Sequence, residues 1–124
     1  MKRYIDGYVL PIQKNKLKDY KKMAKIGAKI WMKNGALEYV ESVGDDFKTF
    51  MGLLSFPKGI RAKKGETVIF SFVVFKSKAH RNSVNKKVMN DPTMNDPTNK
   101  NIPMPFDTKR VMYSGFSTMV VVKK

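Results

Sequence analysis

The nine residues Thr67 to Phe75, TVIFSFVVF, are apolar at nearly every position. A short run of β-branched and aromatic residues without alternation reads as a strand buried on both faces. Such a strand needs cover above and below, and that requirement constrains the rest of the chain. Val68, Phe70, Phe72 and Val74 form one row, and Ile69, Ser71, Val73 and Phe75 form the other.

Five segments have the pattern to surround it. Arg3 to Leu10 reads as a strand that Pro11 stops. Tyr4, Asp6 and Tyr8 point to one of its faces, and Ile5, Gly7 and Val9 to the other. Asn15 to Asn34 reads as an amphipathic helix. Its apolar stripe is Leu17, Tyr20, Ala24, Gly27, Ala28 and Trp31, its lysines lie mostly elsewhere, and Asn34-Gly35 is its stop signal. Gly27 and Ala28 are small enough to let this helix sit close to a sheet. Leu37 to Val43 reads as a second strand, with Leu37, Tyr39, Glu41 and Val43 on one face. Lys78 to Asn90 reads as a second helix, capped by Ser77, with Ala79, Val84 and Val88 toward the core, and Asp91-Pro92 ends it. The related pentapeptides NDPTM (90–94) and NDPTN (95–99) read as turns, Pro103 and Pro105 as extended chain. Arg110 to Val122 reads as the last strand. Residues 47–66 are too apolar for a free loop and read as a covered excursion with room for a short strand.

The order is β-α-β-β-α-β, which predicts a single α+β domain with a ferredoxin-like antiparallel sheet and both helices on one face. The other face is expected to carry Tyr4, Tyr8, Leu37, Tyr39, Val68 and Phe70 or their neighbours. An apolar sheet face of that size is rarely left wet. The expected cover is a second copy of the chain, which makes a homodimeric α+β barrel; the alternative is the 47–66 excursion.

The 124-residue chain contains no cysteine, so disulfides, thiolate nucleophiles and cysteine metal sites are excluded. The N-terminal stretch has no signal-peptide core and no run is long enough to span a membrane, so the expected location is the cytoplasm. The net charge of +15 invites a polyanion. Only Arg3, Arg61, Arg81 and Arg110 are arginines, however, and lysine is the poorer residue for bidentate phosphate contacts. RNA binding through the lysine-rich helix therefore ranks below the other readings.

Five ordered blocks then resemble a known family: YIDGYVLP (4–11), GALEYVESVGDD (35–46), SFP (55–57), GETVIFSFVVFKSKAHRNSVNKKVMNDP (65–92) and MPFDTKRVMYSGF (104–116). The chain resembles the YbaA-like family of uncharacterised bacterial proteins, within the dimeric α+β barrel superfamily. The resemblance implies a ferredoxin-like protomer and a homodimer, and no settled activity. The superfamily includes cofactor-free monooxygenases, haem-degrading oxygenases, isomerases and stress proteins. Some members of the family carry a label linking them to signal-recognition-particle RNA.

The residues themselves offer few places for chemistry. Asp6 lies mid-strand between two tyrosines, where a carboxylate needs a partner; Arg81 and Arg110 are the available cations. It is either half of a structural ion pair or a general base. Glu41 shares a face with Tyr39 and has a route into the same cavity as Asp6. His80, the only histidine, stands in the first turn of the second helix, as a cap or a base. On the catalytic reading Asp6 or His80 takes a proton and Arg81 or Arg110 holds an oxyanion. Tyr8, Trp31, Tyr39, Glu41, Phe72, Arg110 and Tyr113 are candidates for lining a site for a small aromatic ligand, and the aromatic ones serve equally as core. No phosphate loop, nucleophile elbow, zinc signature or dinucleotide fingerprint occurs, so no metal and no cofactor is expected. The two leading readings are a dimeric small-molecule or protein-binding module and a cofactor-free enzyme acting on a small aromatic or enolisable substrate.

Overall fold

The computed structural model describes residues 2–96 and 104–124. Among these residues four strands and three α-helices follow one another: β1 Tyr4–Gln13, α1 Leu17–Lys33, β2 Glu38–Val43, α2 Phe56–Gly59, β3 Glu66–Phe75, α3 Lys78–Met89 and β4 Met112–Ser117. They form one antiparallel sheet in the order β2-β3-β1-β4. This is the ferredoxin-like arrangement, an α+β fold whose first and third strands are central.

β3 is the interior strand its sequence requires. Phe75, Val73 and Ile69 are buried beneath α1 and α3 with Ile30, Val84 and Val88, or with Leu10, Ile12, Tyr20 and Ala24. Phe75 is fully enclosed, which contributes roughly 1.5–3 kcal/mol on its own. Val68, on the other face, is also buried.

β1 runs through Pro11 to Gln13 instead of stopping before it. β4 pairs with β1 only as far as Val9, so at Pro11 the side of β1 turned away from β3 has no ladder to break. The extension adds Ile12 to the core beside Leu10. It also settles the faces. Tyr4, Asp6, Tyr8, Leu10 and Ile12 form one row, and the last two lie under the helices. Tyr4, Tyr8 and Tyr39 therefore face the helices, contrary to the expectation that they line the helix-free side. That side carries Val68 and Phe70 as expected, with Ile5, Val9, Val40, Phe72, Met112 and Phe116.

α1 is entered through a 3-10 turn at Lys14–Lys16, and Gly35, at φ 116°, ends it. Ser77 Oγ accepts the backbone N–H of His80 and caps α3. Val84 and Val88 turn inward, whereas Ala79 is exposed because it sits at the start of α3 before the helix reaches the core.

The 47–66 excursion contains the short helix α2 and no strand. It is partly a cover rather than covered: Phe56 lies over Phe70, ring centroids 6.0 Å apart, while Phe50, Met51, Leu53 and Leu54 are exposed. β4 ends at Ser117, not Val122. Ser117 is opposite Tyr4, the first residue of β1, so the chain beyond Thr118 has no strand to pair with. The second Asp-Pro pentapeptide and Pro103 lie partly or wholly outside the described residues. Among the described residues no helix is long and apolar enough to cross a membrane.

Candidate functional site

The register places Glu41 opposite Ser71, Ser71 opposite Tyr8 and Tyr8 opposite Tyr113. Because partners across strands share a face, these four residues form a polar row across all four strands, on the side covered by helices. Tyr39 and Asp6 stand in the next row. The band has two ends with different chemistry.

At the β2 end, Tyr20 donates its hydroxyl to Glu41 Oε1 and Tyr39 donates to Oε2, each at 2.7 Å. Burial, then the hydrogen bond to Glu41, pushes both phenols well above their ordinary pKa, so both remain donors in any physiological medium. Gly27 of α1 stands against the Tyr39 hydroxyl, where a Cβ would lie 3.2 Å from it. Trp31 packs on Tyr39 at 6.3 Å and donates its indole N–H to Asn85 Oδ1. Between α1 and β2 a cavity of about 450 Å³ opens, lined by apolar Leu17, Ala24, Ala28 and Ile69 and by Tyr20, Tyr39 and Glu41. The exposed lysines Lys21 and Lys25 stand at its mouth.

At the β4 end Asp6 is 1% exposed. Tyr113 donates to its Oδ1 at 3.1 Å, and Arg81 Nε lies 3.8 Å from the same oxygen. Arg81 donates Nη2 to the Tyr4 hydroxyl and Nη1 to that of Tyr113, with its guanidinium 4.9 Å from the centre of the Tyr4 ring. Asp6 Oδ2 and Arg81 Nε–H have no hydrogen-bond partner among the described residues. Burial, then the neighbouring Asp6 charge, raises the Tyr113 phenol. Gly115, opposite Asp6, leaves room for Tyr4: a Cβ there would lie 2.9 Å from two ring carbons. Tyr8 joins the two ends. Its ring is 4.9 Å from that of Tyr113, and burial followed by the charge of Asp6 raises its phenol.

Tyr8, Tyr39, Glu41, Tyr113, Asp6 and Arg81 thus share one side of the sheet, with Trp31 above. Glu41 and Asp6 do not share partners. Phe72 lies on the opposite face, beside Phe70. Arg110 does not meet Asp6: it grips Glu66 through two bonds of 2.7 and 2.9 Å and donates to the Arg61 carbonyl. That grip holds the Glu66 carboxyl below its ordinary range. His80 Nδ1 accepts the backbone N–H of Lys76 at 2.9 Å, and its ring packs on Phe75, which is the capping arrangement. No group of three or more histidine, aspartate or glutamate side chains is placed to hold a metal ion among the described residues.

Tyr20 and Ser71 escaped the sequence reading as site residues. Tyr20 was legible only as one member of an apolar helical stripe. Ser71 is the single hydroxyl inside the run Val68–Phe75, and that interruption was the available signal.

The family model described as "Protein of unknown function (DUF1428)" matches residues 3–108. The chain is 33% identical over 118 residues to the Uncharacterized protein YbaA of Escherichia coli strain K12, covering 95% of this chain and 97% of that one. The same figures hold for YbaA of Shigella flexneri. Among solved structures it is similar to a dimeric ferredoxin-like protein from an uncultured marine organism, with a TM-score of 0.54, 8% identity and full coverage of both chains. That likeness bears on the fold alone. By its match to the family model and its identity with YbaA, the chain belongs to the DUF1428 family, whose function is unknown.

Proposed function

We propose that the chain works as a homodimer, paired through the helix-free side of its sheet, and that each protomer binds a small molecule in the cavity between α1 and β2. The observation that carries the binding site is the cavity itself: about 450 Å³, apolar walls, and one polar cluster converging at Glu41. That combination of volume and sparse, fixed polar groups is what ligand pockets have in common. The dimer rests on the exposure of Phe70, Met112 and Phe116 at 46%, 57% and 56% on a sheet face that α2 only partly covers. Water against so much apolar surface is unfavourable, and a twofold copy is the simplest cover.

Binding is tested by fluorine-detected NMR with a fragment set, on the wild type and on Ala28→Phe, which fills the cavity from α1. Fragments that bind the wild type and not Ala28→Phe support the site; fragments bound equally by both, or none bound, overturn it. Sedimentation tests the dimer. The wild type is expected at twice 14.2 kDa, and Phe116→Glu at 14.2 kDa. A wild type that sediments alone at micromolar concentration removes the dimer.

A second reading has its own observation. Among the described residues, Asp6 Oδ2 is buried and has no hydrogen-bond partner, and neither has the Nε–H of the neighbouring Arg81. Unused buried polar atoms of opposite sense are what a cofactor-free proton-transfer site requires, with Asp6 as base and Arg81 steadying the oxyanion. The binding reading ranks first because the cavity opens on Glu41 and its lining does not include Asp6. Tight ligand binding that survives Asp6→Asn, without turnover in the wild type, favours binding; turnover lost in Asp6→Asn favours the enzyme.

A further inference from the structure

The side chains at the floor of the cavity can only accept. Tyr20 and Tyr39 each have one hydroxyl hydrogen, and each spends it on Glu41. What remains toward the cavity is the lone pairs of two phenol oxygens and of a carboxylate. An incoming carboxylate or phosphate would meet no side-chain donor there and would face a like charge. A hydroxyl or N–H would find up to three acceptors around it. The mouth has the opposite character. Lys21 and Lys25, one turn apart on the exposed face of α1, flank it, and no hydrogen bond or ion pair ties either side chain down among the described residues. Between floor and mouth the walls are alkyl and aromatic apart from the hydroxyl of Ser42.

We infer that the cavity takes an apolar organic acid that enters donor-first, with a hydroxyl or N–H on the Glu41–Tyr20–Tyr39 floor and its carboxylate at Lys21 and Lys25. The inference rests on the binding site proposed above and adds the polarity of its ligand. A site built to receive a hydroxyl rejects the analogue that lacks one, because the acceptors it leaves behind lose water and gain nothing. The carboxylate contributes less, because surface lysines are screened and solvated.

The test is isothermal titration with three probes of similar size: 3-(4-hydroxyphenyl)propionate, 3-phenylpropionate and methyl 3-(4-hydroxyphenyl)propionate. The expected order has the first tightest. Loss of the hydroxyl in 3-phenylpropionate weakens binding by about tenfold or more, as for a polar group left unpaired. Masking the acid as its methyl ester weakens it by a smaller factor, and that difference shrinks as salt is raised. Glu41→Gln, which can turn an amide N–H toward the floor, reduces the preference for the hydroxyl, while Lys21→Ala with Lys25→Ala reduces only the preference for the acid. Equal binding of the first two probes, or an unchanged hydroxyl preference in Glu41→Gln, overturns the inference. In either case the Ala28→Phe comparison still reports on the cavity by itself, so failure of the ligand class and failure of the site are separate results. If none of the three binds at 10 mM while fragments still distinguish wild type from Ala28→Phe, the site stands and this ligand class is wrong.

Discussion

Replacing Gly27 by alanine sets two known effects against each other. In the middle of a helix such as α1, alanine is favoured over glycine by about 1 kcal/mol. Here the new Cβ would lie 3.2 Å from the Tyr39 hydroxyl, closer than a methyl group tolerates without movement. Tyr39 is held by its 2.7 Å bond to Glu41, so the phenol must give way and that bond must lengthen. A hydrogen bond to a charged group contributes roughly 1.5–3 kcal/mol. A shift of a few tenths of an ångström strains that bond without abolishing it, so Gly27→Ala is expected to destabilise the protein by at most about 2 kcal/mol, the full bond less the helix preference. The sign reverses once the hydroxyl is removed. In a Tyr39→Phe background the nearest ring carbon is 3.9 Å from the added methyl, an ordinary contact. There Gly27→Ala is expected to stabilise by about 1 kcal/mol, the full helix preference. Urea unfolding of the four proteins of this cycle, followed by far-ultraviolet circular dichroism, reads both values. Should Gly27→Ala stabilise both backgrounds equally, the close approach of α1 to Tyr39 is not what positions Glu41, and the account of the cavity floor fails with it.

Three further outcomes are expected. Asp91, which accepts from Asn34 and Thr93 and pairs with Lys33, is held at about 2 against its ordinary 3.8. A depressed carboxyl stabilises the fold above its unfolded pKa and loses that contribution as pH falls through the folded value, so thermal unfolding of Asp91→Asn should lie below wild type at pH 6 and converge with it near pH 2. Gly115→Ala forces the Tyr4 ring off Arg81 and should cost about 1–3 kcal/mol by overpacking, read by urea unfolding; an unchanged midpoint refutes the contact. Arg110→Lys loses the two-pronged grip on Glu66 and the bond to the Arg61 carbonyl, so trypsin should cut at Lys58, Arg61, Lys63 and Lys64 faster than in wild type.

What the sequence disclosed, and what it withheld, follows from the range of the forces involved. The run Thr67–Phe75 announces an interior strand because burial on two faces leaves a mark on every residue. Alternation in β1 correctly separates Tyr4, Asp6 and Tyr8 from Ile5 and Val9. It does not say which set meets the helices. That depends on Leu10 and Ile12 together, and Ile12 lies past a proline taken as a stop. Pro11 is harmless only because β4 is short, a fact about another strand a hundred residues away. The same long range hides Arg110 from view: its partner proved to be Glu66, and only the fold brings them together. The end of β4 is set by where β1 begins, not by the β-forming residues Val120 to Val122. Asp6 and Arg81 were legible because a carboxylate inside a strand demands a cation. The Glu41 floor was half legible, since Tyr39 and Glu41 share a face, but Tyr20 reaches it from the helix.

The central pairing of β1 with β3 also sets the order in which this chain can be completed. Partners in that ladder, from Gln13 with Glu66 to Tyr4 with Phe75, are roughly fifty to seventy residues apart, a separation typical of slow, non-local folding. On the ribosome, β1 must therefore wait, its tyrosine and isoleucine side chains without a permanent partner, until Glu66 to Phe75 has emerged. β4, which follows β3 in the chain, adds to the remaining side of β1, so Tyr113 reaches Asp6 only after the residues of that ladder have been made.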